Sequence, residues 1–210
     1  MKTVITIARQ LGCGGSYVGR LLASRLGFRY ADREVLALAA GKLKLEEAEV
    51  SSREERVKSA WDGVLEVFAL GPIESGYVPP AFLPVPDEEI FAQESRIMQA
   101  LARRHDCVVI GRGGMHVFKD HPDSLHVFLH APESFRIERV MRLYGARTQT
   151  QARSMIADSD RARAAFHARV AREDWTRAEN YHLCVDAGGV VLERAAELII
   201  GYLNNRAPRR

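Results

Sequence analysis

At 210 residues and 47% hydrophobic content, the chain suits one domain with a lid or insert and a substantial buried core. No apolar run approaches the roughly 20 residues a membrane span requires, and the N-terminus leads into a strand pattern rather than a signal peptide. A net charge of +3 is too small to argue for nucleic-acid binding, and the scattered thiols of Cys13, Cys107 and Cys184 speak against a disulfide framework or zinc site and for a reducing cytoplasm.

The apolar run Val4-Ile5-Thr6-Ile7-Ala8 predicts a buried strand, Gly12-Cys13-Gly14-Gly15 a tight loop, and Ser16 onward a helix. Val18, Leu21, Leu22 and Leu26 fall at i, i+3, i+4 and i+8, with Gly27 as the stop. Phe28 to Tyr30 reads as a short strand leading to Asp32, and helical segments are expected through Leu70. From Gly71 to Pro86, two glycines and five prolines interrupt any regular element, so an exposed loop is expected. A helix follows from Asp87 to Arg104, with Ile90, Ile97, Met98 and Leu101 as its core stripe. Asp106 to Ile110 is the next strand, ending in Gly111-Arg112-Gly113-Gly114, and Leu125 to Leu129 is another. Pro132 opens another helix at a favoured position. Helices from Thr150 to Asn180, a last strand from His182 to Val185 and a helix from Val190 to Asn204 complete the chain. Strands alternating with helices predict an α/β domain on a mainly parallel sheet.

The opening strand, glycine loop and helix are the parts of a phosphate-binding site: glycines admit an anion to backbone N–H groups, and the helix N-terminus adds partial positive charge. Against the pattern G-x-x-x-x-G-K-[ST], two registers fit. In the first, Arg9 takes the place of the first glycine, Gly15 that of the lysine, and Ser16 that of the Ser/Thr. In the second, Gly14 and Gly19 are the two glycines and Arg20 replaces lysine; that would delay the helix and break the Val18/Leu21/Leu22 stripe, so the first is favoured. The dinucleotide pattern G-x-G-x-x-G fits worse. Asp32 lies near the distance of a ribose-binding acid, but Tyr17 stands where the third glycine must allow close packing.

The cations carry a further signal. Arginines number 25 against 5 lysines, and Arg136 to Arg177 holds ten arginines, five acids and no lysine. The planar guanidinium suits bidentate phosphate binding, while solvated helix faces account equally well for any single arginine. His126 and His130 flank a strand run without a third partner, which disfavours a metal site.

Four stretches appear in the order seen in cytidylate kinases: Ile7 to Gly15, Tyr30-Ala31-Asp32, Val109-Ile110-Gly111-Arg112 and Asp160-Arg161-Ala162-Arg163. With its lysine-less R-x-x-G-x-G-G loop, the chain more closely resembles the cytidylate kinase-like family, over nearly its whole length. The resemblance implies a three-layer P-loop NTPase fold, with a mainly parallel sheet flanked by helices. It also implies a helical acceptor-binding insert over about 33–104 and a lid over about 146–180; Trp175 and Tyr181 are expected to pack the lid helix onto the body. Asp32, Arg112, Asp160 and Arg163 match positions that contact cytidine monophosphate in true cytidylate kinases. Leu38 and Ile156 stand where those enzymes have arginines, Gly113 replaces the aspartate of the G-R-D motif, and Arg33 follows Asp32 where a small residue is usual.

The expected activity is ATP-dependent, Mg²⁺-assisted phosphoryl transfer to CMP, dCMP or a related nucleotide, in the cytoplasm, with no nucleic-acid or membrane partner. Such transfer needs charge neutralisation and in-line alignment more than covalent chemistry. Gly12, Cys13, Gly14, Gly15, Ser16 and Tyr17 form the nucleotide-binding stretch, with Ser16 as the metal ligand. Arg9 or Arg20 supplies the missing charge, Arg112 holds the acceptor phosphate, and Arg161 and Arg163 close over the transferring group. Asp32 orients the acceptor or a metal-bound water. Two alternatives stand beside this: a nucleotide-binding regulatory protein that has lost catalysis, and a kinase of another small metabolite. No feature of the sequence specifies an oligomeric state.

Overall fold

The computed structural model describes residues 2–32, 35, 36, 39, 88–111 and 113–206. Among them, β1 (Val4–Arg9), β2 (Arg29–Ala31), β3 (Cys107–Ile110), β4 (Ser124–His130) and β5 (Leu183–Asp186) form one sheet in the order β2-β3-β1-β4-β5. Every pairing is parallel, and Ile5 lies opposite Val108 on one side and Leu125 on the other. As the central strand, β1 buries Val4 through Ala8 on both faces. That is why it reads as a continuous apolar run rather than an alternating one.

The described helices are α1 (Gly15–Leu26), α2 (Glu88–Arg104), α3 (Gly114–Val117), α4 (Glu133–Leu143), α5 (Gln149–Ala171) and α6 (Leu192–Asn205), with a 3₁₀ turn at Ala178–Asn180. On one face of the sheet, Val18 and Leu22 of α1 and Ile199 of α6 pack against Ile5, Ile7 and Leu125. On the other, Ile97, Met98 and Leu101 of α2 cover Val109, with Phe118 beside them. A smaller cluster of Leu11, Ile137, Val140, Ala152 and Ile156 joins α4 and α5 to the loop after β1. The result is a three-layer α/β arrangement, as the resemblance implies, on the parallel sheet that the alternation of elements predicts.

Local signals explain the helix ends. Gly27 closes α1 in the left-handed conformation (φ 68°) and donates its N–H to the Ala23 carbonyl. Thr148 caps α5, its hydroxyl accepting from Gln151 N at 3.1 Å. Two expectations need correction. The helical stretch predicted from Thr150 to Asn180 ends at Ala171, because Arg172 turns left-handed (φ 56°). Ile90 is 47% exposed rather than part of the α2 core stripe, since burial along that helix starts only at Glu94. Other boundaries differ by a residue or two, as frayed ends do.

The expected insert over 33–104 lies mostly outside the described residues, as do Arg33, Leu38, the Gly71–Pro86 loop and Arg112; α2 is its described C-terminal part. No described helix is long and apolar enough to cross a membrane.

Candidate functional site

In the parallel sheet, β2 and β3 lie to one side of β1, and β4 and β5 to the other. The carboxyl ends of β1 and β3 therefore flank the crevice where such sheets place ligands. The loop after β1 turns there. Gly12 (φ 88°) and Gly14 (φ 78°) both take the left-handed conformation, which L side chains resist, and α1 begins at Gly15. Gly19 and Arg20 fall in the second helical turn, against Ile110 and Tyr30, with the Arg20 guanidinium 5.6 Å from the Tyr30 ring centre. Gly15 therefore opens the helix from the lysine position of the first register. Ser16 follows, half-buried, and the exposed Tyr17 donates its hydroxyl to Glu193. Cys13 departs from the lowered pKa that a helix N-terminus suggests: burial pushes its thiol up to about 12. It is a small packing residue.

Arg9, the last residue of β1, runs beneath this loop. A Cβ added to Gly15 would lie 2.6 Å from Arg9 Cγ, and one added to Gly111 would fall on the Arg9 guanidinium. The arginine stem thus occupies the space that a side chain at position 15 would need, and its head reaches the end of β3. Its charge acts on Tyr30, Tyr144, Arg163 and His167, groups drawn from β2, the end of α4 and α5.

The inner face of α5 closes the other side. Asp160 Oδ1 accepts from the Leu11 N–H and from Arg163 Nη1, each at 3.2 Å, and its Oδ2 pairs with Arg136 Nη2. Arg136, 6% exposed, also donates Nε–H to the Leu11 carbonyl at 2.8 Å. A carboxylate and a guanidinium thereby lash α4 and α5 to the glycine loop. Arg163 Nη1 further donates to Ser159 Oγ at 2.7 Å, while its buried Nε has no hydrogen-bond partner among the described residues. Burial first, and then the Arg9 charge, push its pKa down to about 10 against the opposing pull of Asp160.

The remaining candidates stand apart. Arg161 is exposed and pairs with Asp158 one turn back. Asp32 is buried at the carboxyl end of β2, where its Oδ1 accepts from Val35 N at 3.1 Å. Arg112 lies outside the described residues. Ile156 is buried in the cluster around Leu11, and Gly113 faces the rings of Phe91 and Phe166.

Beside the loop, a cavity of about 620 Å³ is lined by Tyr17, Phe135, Arg139, Gly189, Leu192 and Glu193 among others. The Arg139 guanidinium lies 5.7 Å from the Phe135 ring centre, and burial lowers its pKa. No group of three His, Cys, Asp or Glu among the described residues could hold a metal ion. His126 instead bonds Thr6 Oγ1 at 2.8 Å and Ser124 Oγ at 3.2 Å inside β4. The glycine loop, the Ser16 hydroxyl and the partnerless Arg163 Nε together suit a phosphorylated ligand bearing its own divalent cation. Sequence reasoning missed Arg136, Arg139 and Glu193. The first two lie in the arginine-rich run, a signal that marks the segment without selecting residues; nothing local marks Glu193.

The model of the cytidylate kinase-like family matches residues 4–188. No curated protein matches the sequence. Among solved structures, an uncharacterized protein from Eubacterium ventriosum superposes with a TM-score of 0.72 at 21% identity, covering 98% of this chain and 100% of its own. A gluconokinase from Sinorhizobium meliloti gives 0.53 at 17% identity, covering 96% and 91%. A shikimate kinase from Bacteroides thetaiotaomicron gives 0.52 at 12%, covering 96% and 98%. At these identities the likeness is one of fold, and the fold is that of P-loop kinases. With the family match running from the first strand past the last, the chain belongs to the cytidylate kinase-like family and carries a phosphotransferase architecture.

Proposed function

We propose that the protein transfers the γ-phosphoryl group of ATP to a nucleoside monophosphate, with CMP and dCMP the first acceptors to test. One observation carries this reading: Arg9 fills the space beside Gly15, where a P-loop lysine would stand, and its charge bears on the buried Arg163. Two guanidinium groups gathered at a loop of backbone amides are stabilised by an anion between them.

In this reading the amides of Gly12 to Ser16 cradle the β-phosphate, and the donor base takes the cavity beside Arg139. Arg9 supplies the charge a lysine would bring, although its wider planar head meets phosphate oxygens differently. Arg163 stabilises charge on the transferring phosphoryl group. Ser16 supplies a hydroxyl ligand for Mg²⁺, which when bound neutralises charge on the donor oxygens. Asp32 and Arg112 belong to the acceptor, and Arg161, held in solvent by Asp158, has no part in the transfer. Free thiols and a nucleotide donor suit the cytoplasm.

A second reading, a kinase of another small metabolite, draws on the acceptor side. Ile156 is packed in the core, and Asp160 already binds Arg136, Arg163 and the Leu11 N–H. Two positions that read cytidine monophosphate in true cytidylate kinases are thus engaged internally. A steady-state assay with ATP, Mg²⁺ and a panel of nucleoside monophosphates tests the first reading. Turnover on none of them overturns it, and a thermal-shift screen of small metabolites then tests the second.

A further inference from the structure

Asp160, Arg163 and His167 share the inner face of α5 at i, i+3 and i+7, and His167 has no part in the chemistry above. It is 5% exposed, and its Nδ1 lies 2.7 Å from His116 Nε2, one ring N–H donating to the lone pair of the other. His116 belongs to α3, which starts directly after the loop at the end of β3. The His167 ring also stacks on Trp175, with centroids 5.8 Å apart and planes at 11°. Trp175 in turn meets Phe128 of β4 edge-on at 5.5 Å. A chain of rings thus runs from the sheet through α5 to α3.

The charged groups facing the pair are Arg163 of α5, Arg9 of β1, Glu173 beyond α5 and Lys119 beyond α3, the last two paired at 3.2 Å. Burial, then His116, Arg163 and Arg9, push His167 down to about 3, and burial also lowers His116. Both imidazoles are neutral at neutral pH. Their bond sets position and contributes no charge.

We propose that His116 and His167 are a positioning pair that docks α5 on α3 and so holds Arg163 at the transferring phosphoryl group, an inference that rests on the phosphotransferase reading. Three residues before Arg163, Asp160 ties the helix to the donor loop. Four residues after it, His167 ties the same helix to α3, which follows the acceptor-side loop. A helix held on both sides of Arg163 keeps that guanidinium from tilting out of the crevice, which orientation-dependent catalysis requires.

The test reads the γ-phosphate contact without chemistry, as the ratio of dissociation constants for ADP and a non-hydrolysable ATP analogue, by calorimetry with Mg²⁺. Arg163→Met should cut this preference about tenfold, and His116→Leu nearly as much. The double variant should lose no more than Arg163→Met alone, because the pair acts through the arginine. His116→Gln, whose amide reaches the place of Nε2, should stay within about threefold of wild type. If leucine at 116 unfolds the chain, His116→Asn, too short to reach His167, replaces it in the comparison with His116→Gln.

Equal loss of affinity for both nucleotides in the leucine or asparagine variant, additivity with Arg163→Met, or no rescue by glutamine would overturn the proposal and leave a packing contact. Wild-type protein that binds neither nucleotide overturns the phosphotransferase reading, and the inference with it. Nucleotide preference that responds to Arg163→Met but not to His116→Leu overturns the pair alone.

Discussion

Arg161 and Arg163 stand two residues apart on one helix, yet their side chains are 74% and 13% exposed. At 3.6 residues per turn, two positions differ by about 200° around the axis. The inner face presents Asp160, Arg163 and His167 to the loops, while the outer face leaves Asp158 and Arg161 in solvent. The outer pair is a surface i, i+3 contact worth a few tenths of a kcal/mol. The inner guanidinium bears a desolvation cost that its partners Asp160 and Ser159 offset. Residue type and charge pattern are alike on the two faces. Orientation alone separates an exposed pair from a buried one.

The largest contrast should appear in turnover. Arg163→Met is expected to lower kcat about a thousandfold, and Arg161→Ala less than about threefold, in steady-state assays at saturating ATP. Comparable losses at both positions would erase the distinction between the faces. A second test swaps the cation at the loop. Gly15→Lys alone should lower kcat about a hundredfold, because its Cβ meets the Arg9 stem. Adding Arg9→Gly should recover most of that loss by restoring the usual glycine and lysine of the pattern. Failure of the double variant to gain over the single would show that Arg9 and a lysine at 15 are not alternatives.

Smaller effects fall on stability. Asp160→Asn should cost roughly 2–3 kcal/mol in urea denaturation, since it leaves Arg136 and Arg163 without their carboxylate, while Asp158→Asn should cost less than about 0.5 kcal/mol. The pH dependence sharpens the inner face further. Above the ordinary histidine value of 6.5, His167 is neutral in both folded and unfolded chains. Below it, the unfolded chain takes up a proton that the folded one refuses until about pH 3, so stability is full above 6.5 and declines from there towards 3. Against wild type, His167→Asn should flatten that decline by up to about 1 kcal/mol per pH unit. An unchanged slope would mean that the ring is not held neutral.

Much of the fold was legible because its signals are contiguous. The apolar run of β1, the stripe of α1 and its glycine stop predicted elements found within a residue or two. The end of α5 was not legible, because it depends on a left-handed Arg172 with no glycine to announce it. Site residues divided in the same way. Gly12 to Ser16 stood out as a consecutive motif, whereas Arg136 was one arginine among ten until its bonds to Leu11 and Asp160 singled it out. The pairing of His116 with His167 spans 51 residues and leaves no periodic trace.

The sequence alone thus determined a glycine loop between an apolar strand and an amphipathic helix, in a P-loop pattern without its lysine. Those features depend on neighbours within a turn or two, which composition and spacing record. Only the tertiary structure decided that Arg9 passes beneath Gly15 to Gly111, that Asp160 anchors the loop, and that Arg163 rather than Arg161 faces the crevice. Those outcomes depend on which helix face packs against the sheet and on how close distant segments come. Burial and long-range contact, not residue type, set them.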